Sequence, residues 1–161
     1  MNYWLMKSEP SCFSIDDLMR APQQTYYWDG VRNYQARNFM RDSMQIGDQV
    51  FFYHSNCKPP GIVGIAEVAC SPYPDFTAFD PEHKHYDPAS TPEKPRWVMV
   101  DVHFVEKFPT IIALDTLKQY HELSHMRVLQ KGNRLSILPV EQSEWNFIIQ
   151  IANHNNSPSK S

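Results

Sequence analysis

Residues 26–41, YYWDGVRNYQARNFMR, concentrate rings, amides and guanidinium groups in one short stretch. Tyr26, Tyr27 and Trp28 run into the turn pair Asp29-Gly30; Arg32, Arg37 and Arg41 then interleave with Asn33, Gln35 and Asn38. Flat rings stack on planar ligands such as bases, amides read base edges, and guanidinium groups hold phosphate or carboxylate. The same residues have an ordinary reading: Trp28 as core, the arginines as ion pairs on a solvated helix face, and Asn33 as a helix cap. Both readings fit the residue types.

Two histidine-rich segments suggest a metal. HELSH sets His121 and His125 four apart, and PEHKHYD carries His83 and His85 among acids. Zinc needs three or four converging ligands, and neither segment offers a third at a recognisable spacing. No metal and no other cofactor is expected. Ser8, Ser55 and the cysteines are possible nucleophiles, and His54 adjoins Ser55. Neighbouring strand residues point to opposite faces, however, so that pair cannot meet directly. The chain has no GxSxG elbow and no phosphate-cradling GxGxxG or GxxxxGK[ST] loop.

Length and charge narrow the partners. At 161 residues the chain suits one domain with a substantial core. Its net charge of −3 argues against binding along duplex DNA through many phosphates. A partner that inserts a single base into a pocket needs only a few local cations. Three cysteines without a CxxC spacing indicate neither a disulfide framework nor a zinc module. No apolar run approaches the ~20 residues that cross a bilayer, and MNYWLMKSEP lacks the form of a signal peptide. A cytoplasmic monomer with no membrane association is the expectation.

The elements that must position these groups follow from periodicity and turn residues. NYWLM predicts a first strand, and Ser14 before IDDLMR, with Asp17 three residues on, predicts a capped short helix that Pro22 ends. A second helix is predicted from about Asn33 to Ser43, with Ala36, Phe39, Met40 and Met44 as its apolar stripe. QVFFYHS and GIVGIAEVAC are strands separated by the loop SNCKPPG, and Gly61 and Gly64 allow a bend or a close backbone approach. Residues 71–96 form a long proline-rich loop, of the kind that is usually functional in a compact domain. RWVMVDVHFVEKF alternates as a strand, residues 113–129 carry short helices, RLSILPV closes the sheet and EQSEWNFIIQIA is a final helix. Residues 1–152 make one α+β domain on a curved sheet or barrel, and the polar tail 153–161 is expected to be disordered.

Seven blocks taken in order carry a resemblance over residues 3–151: YWLMKSEP, WDGVRNYQARNFMR, GDQVFFYHSNC, GIVGIAEV, YPDFTAFD, PRWVMVDVHF and KGNRLSILPV. They resemble the EVE domain family, a bacterial family that also takes in thymocyte nuclear protein; WDGVRNYQARN and FFYHSNC are its specific signatures here. The resemblance implies a PUA-like fold, a small mixed β-barrel with flanking short helices, and kinship with YTH domains. Those relatives hold a flipped, modified base in an aromatic-lined cavity, which makes modified cytosine in DNA the implied ligand, with RNA the other possibility. By similarity Trp28 is a stacking wall, Lys7 and Ser8 lie across from it, and Tyr53, His54, Ser55 and Asn56 line the floor and rim. Asn33 reads a base edge or caps its helix, and Arg32, Arg37 and Arg134 hold flanking phosphates or make ion pairs.

The leading expectation is therefore a non-enzymatic module that recognises a modified base in nucleic acid by stacking. One alternative is a small amidohydrolase acting on modified cytidine, with Lys7 as a base if burial lowers its pKa, aided by Ser8 and Glu9. The other is a protein-interaction module built on the 71–96 loop.

Overall fold

The computed structural model describes residues 1–132 and 134–156. Its seven strands are β1 (Tyr3–Ser8), β2 (Thr25–Trp28), β3 (Gln49–His54), β4 (Gly61–Val68), β5 (Tyr73–Pro74), β6 (Val98–Ala113) and β7 (Ile137–Val140). The helices are α1 (Ile15–Arg20), α2 (Tyr34–Asn38), α3 (Leu114–Leu117) and α4 (Gln142–Asn156), joined by single turns of 3-10 or π type. The sheet runs β2-β6-β4-β3-β1-β7, with β5 pairing the start of β6. β1 and β3 are parallel and every other pair is antiparallel.

The central strands are apolar at consecutive positions because both faces of the sheet are buried. Trp4, Met6, Val50 and Phe52 enter one core, while Leu5, Phe51 and Tyr53 enter the other. The first core is capped by Ile15 and Leu18 of α1 and by Ala36 and Met40 near α2. The second is capped by Leu117 of α3, by Leu123 and Met126, and by Trp145, Ile148 and Ile151 of α4. α1 begins as expected, with a reciprocal capping box between Ser14 and Asp17. Gly64 and Gly61 are sites of close approach: a Cβ on Gly64 would lie 2.2 Å from the Glu106 carbonyl oxygen, and one on Gly61 2.3 Å from that of Ile112.

Three expectations need correction, and one strand was not anticipated. The sheet does not close into a barrel: β2 and β7 stand at its two ends, and helical elements cover both faces, so two cores replace one enclosed interior. Residues 25–28, which the sequence pattern assigns to no element, form an edge strand. The 33–43 helix is α only over Tyr34–Asn38 and widens to a π turn over Phe39–Ser43, whose Met44 amide donates to the Phe39 carbonyl. The final helix runs to Asn156, past the 152 boundary, and residues 157–161 of the expected tail lie outside the described residues. Among the described residues no helix is long and apolar enough to cross a membrane.

Candidate functional site

A cleft of about 790 Å³ opens where the C-terminal end of β1, the loop into α1, α1 itself, β2 and residues 83–85 converge. Its wall is aromatic. Trp28, the last residue of β2, is 6% exposed and packs edge-on against Phe52 (5.2 Å between ring centroids) and Phe13 (6.1 Å). Tyr26 stacks on Phe13 at 5.2 Å and on Tyr27 at 4.3 Å, and at 38% it is exposed enough to receive a planar ligand. The Tyr26 and Tyr27 hydroxyls share a hydrogen bond (3.2 Å); this bond, then burial, pushes the Tyr27 phenol up to about 12, so it stays neutral.

Polar groups line the other side. Burial lowers the Lys7 ammonium below its ordinary value. Ser8 Oγ donates to the Phe13 carbonyl at 2.7 Å, which folds the loop after β1 back along the cleft. Glu9 accepts from Asn56 Nδ2 at 3.1 Å. The lining holds three cations, Lys7, Arg20 and Lys84, against three carboxylates, Glu9, Asp17 and Asp29. The cleft is therefore near neutral and selects by shape and hydrogen bonding more than by charge.

The long 71–96 loop is the remaining wall, and the WDGVR segment anchors it. Asp75, wholly buried, accepts from the Gly30 amide (2.9 Å), from Arg32 Nη1 (3.0 Å) and from the amide and hydroxyl of Thr77. Arg32 also donates twice to the His85 carbonyl, at 2.7 and 3.1 Å, and lies over Trp97. Gly30 has φ +80°, and a Cβ there would fall 2.4 Å from the His85 ring. The turn glycine thus makes room for the loop as well as for the change of direction.

Of the base- and phosphate-binding residues that the resemblance implies, Lys7, Ser8 and Trp28 meet in the cleft. The others are not among its lining. Tyr53 is 3% exposed in the second core, on the opposite face of the sheet from Trp28. His54 Nε2 accepts the Ile15 amide at 3.1 Å, capping α1, and burial lowers its imidazole, so the ring is neutral. Ser55 is tied by its amide to the Ser8 carbonyl, and Asn56 reaches the cleft only through Glu9. Asn33 caps α2 through the Ala36 amide (3.0 Å). Arg37 donates to the Arg96 carbonyl and to Asn38 while lying over Tyr34. With Arg32 on Asp75, these two guanidinium groups are occupied internally; Arg134 is exposed and stands apart from the cleft. Phe13, Arg20 and Lys84 were not anticipated, and nothing in their spacing separates them from ordinary core and surface residues.

The EVE domain family model matches residues 2–151. The chain belongs to the EVE domain family. Mouse thymocyte nuclear protein 1 is 47% identical over 93% of this chain and 73% of its own length. A Pseudomonas syringae protein of known structure is 48% identical, covering 93% of this chain and 99% of that chain with a TM-score of 0.89. Human THYN1, solved in complex with DNA containing 5-methylcytosine, is 46% identical over 94% of this chain and 98% of its own, also at TM-score 0.89. EVE domains this similar thus occur in animals and bacteria alike, and the family is not confined to bacteria.

Proposed function

We propose that this EVE domain is a non-enzymatic reader of a modified base, with modified cytosine in DNA as its ligand, held in the cleft beside Trp28. The observation that carries the reading is its likeness to human THYN1, a protein solved with 5-methylcytosine DNA, over nearly the whole of both chains. The cleft's chemistry supports it. Tyr26 offers a partly exposed ring, Trp28 a wall edge, and Lys7 and Ser8 line the same concavity. Such a site suits a base taken out of its stack, with stacking contributing ~1–3 kcal/mol. Arg20 and Lys84 on the lining, rather than Arg32 and Arg37, are the cations that meet flanking phosphates.

Burying one added methyl is worth about 0.8 kcal/mol, or a preference of about 4-fold for 5-methylcytosine over cytosine. Fluorescence anisotropy with short strands and duplexes, differing only in that methyl, measures it. Equal affinity for both would leave a protein that reads backbone alone.

One observation favours a second reading. Lys7 lines the cleft beside Ser8 and Glu9 with its pKa lowered by burial, the condition an amidohydrolase base must meet, while its ammonium lies over the Tyr53 ring at 5.9 Å. Incubation with modified cytidines, followed by mass spectrometry, is expected to give no deacylated product. Turnover that vanishes in Lys7→Ala would replace the reader with the enzyme.

A further inference from the structure

Asp29, His83 and His85 converge at the lip of the cleft, each offering one ligand atom within 4.8 Å of the others. Sequence spacing leaves the two histidines without a third ligand; the fold supplies Asp29 from 56 residues before His85. His85 Nδ1 stands 3.1 Å from Asp29 Oδ2, and His83 Nε2 stands 3.8 Å from that same oxygen. On a zinc-like ion, nitrogen and oxygen ligands at ~2.0–2.2 Å lie roughly 3–3.5 Å from one another, so small side-chain rotations complete the set.

The surroundings hold these groups in place. Arg32 fixes the His85 carbonyl with two hydrogen bonds, and Gly30 leaves the space in which the His85 ring lies. The Tyr86 amide closes a turn onto the His83 carbonyl at 3.0 Å. All three side chains are half-buried, between a quarter and a third exposed. Two imidazoles and one carboxylate suit zinc and its first-row neighbours, whereas calcium and magnesium prefer all-oxygen shells.

We propose that Asp29, His83 and His85 form a binding site for a divalent transition-metal ion of the zinc class, with a coordination position left open toward the cleft. Binding carries its own signature. His83 Nδ1 now accepts the His85 amide at 3.0 Å. Ligation through Nε2 moves the ring proton to Nδ1 and turns that amide away, at the cost of one hydrogen bond. The site needs no nucleic acid and stands apart from the base-reading proposal.

The test is titration of metal-free full-length protein with Co2+, followed by its visible absorption, and with Zn2+ by calorimetry, alongside the 15N–1H signal of the His85 amide. One equivalent is expected to bind, with the His85 amide shifting in step. His83→Ala and His85→Ala should each weaken binding by more than about 10-fold, the lower bound for loss of even a supporting group. Asp29→Asn, which keeps a hydrogen-bond acceptor and so preserves a merely structural role, should weaken it comparably. The double variant His121→Ala/His125→Ala should bind like the wild type. Absence of a Co2+ band and of Zn2+ heat in the wild type overturns the proposal. So does binding that survives His83→Ala, His85→Ala and Asp29→Asn, or that is lost only with His121 and His125.

Discussion

Trp28→Ala is expected to lower the stability of the folded domain by about 3–5 kcal/mol, the cost of emptying a large aromatic site in a core. That corresponds to a fall in Tm of roughly 6–20 °C for a domain of this size. The indole is nearly buried between Phe13 and Phe52 while one of its edges forms the cleft wall. The two readings its sequence position allows, core and wall, are therefore both realised in one residue. Trp28→Phe separates them, since a smaller ring keeps most of the core contact and withdraws surface from the ligand. Urea unfolding and oligonucleotide affinity measured on both variants provide the check. A Trp28→Ala protein within ~1 kcal/mol of wild type would mean that the indole is a free-standing wall.

Arg32→Ala is the second large effect. It leaves Asp75, wholly buried, without its cation, and breaking one partner from a buried pair costs about 3–5 kcal/mol. Burial alone would raise the Asp75 carboxyl, but hydrogen bonds from Thr77, Gly30 and Arg32, with the Arg32 charge, hold it below the usual carboxylate value. A depressed carboxylate stabilises the fold above its unfolded pKa of ~3.9 and loses that contribution as pH falls through the lower, folded value. Without Arg32 the folded value rises and the acid-unfolding midpoint moves toward neutrality. Arg32→Lys should recover only part of the loss, because one ammonium cannot serve Asp75 and the His85 carbonyl with a planar fork. Circular dichroism against pH and urea reads all three proteins. Wild-type stability in Arg32→Ala would show that the loop anchor is not where the geometry puts it.

The strands were legible because burial on both faces wrote continuous apolar runs into β1 and β3, and the Ser14–Asp17 box announced α1. β2 was not, since Tyr26, Tyr27 and Trp28 show no alternation; pairing with β6 decides its state. The π turn was invisible because Met40 and Met44 sit at spacings that an α-helix also satisfies. Barrel closure depends on whether two edge strands meet, which local patterning does not encode.

In the site, Lys7, Ser8 and Trp28 were implied by the family resemblance, and all three line the cleft. Placing Tyr53 with its neighbours in one pocket conflicted with the two-residue period of β3, a contradiction already present in the sequence. The arginines were a harder case. Arg32 and Arg37 differ from Arg20 only in what lies opposite them in space, and Asp75, 43 residues away from Arg32, gives no sign of its burial.

The place of β1 between β3 and β7 bears on how the protein is made. β1 leaves the ribosome before the other strands of the sheet and can pair with β3 once residue 54 has emerged, but its other edge stays open until Val140 is available. The indole that stacks on Phe51 at 3.8 Å and lies against Tyr3 arrives later still, on α4. At about 5–20 residues per second, nearly 100 further residues mean roughly 5–20 s with one face of the nascent sheet uncovered. Chains halted before Gln142 are expected to bind a hydrophobic dye and to be cut rapidly by protease, while chains released at full length resist both. Protection of the halted chains equal to that of the released protein would show that the sheet matures without its last strand and helix.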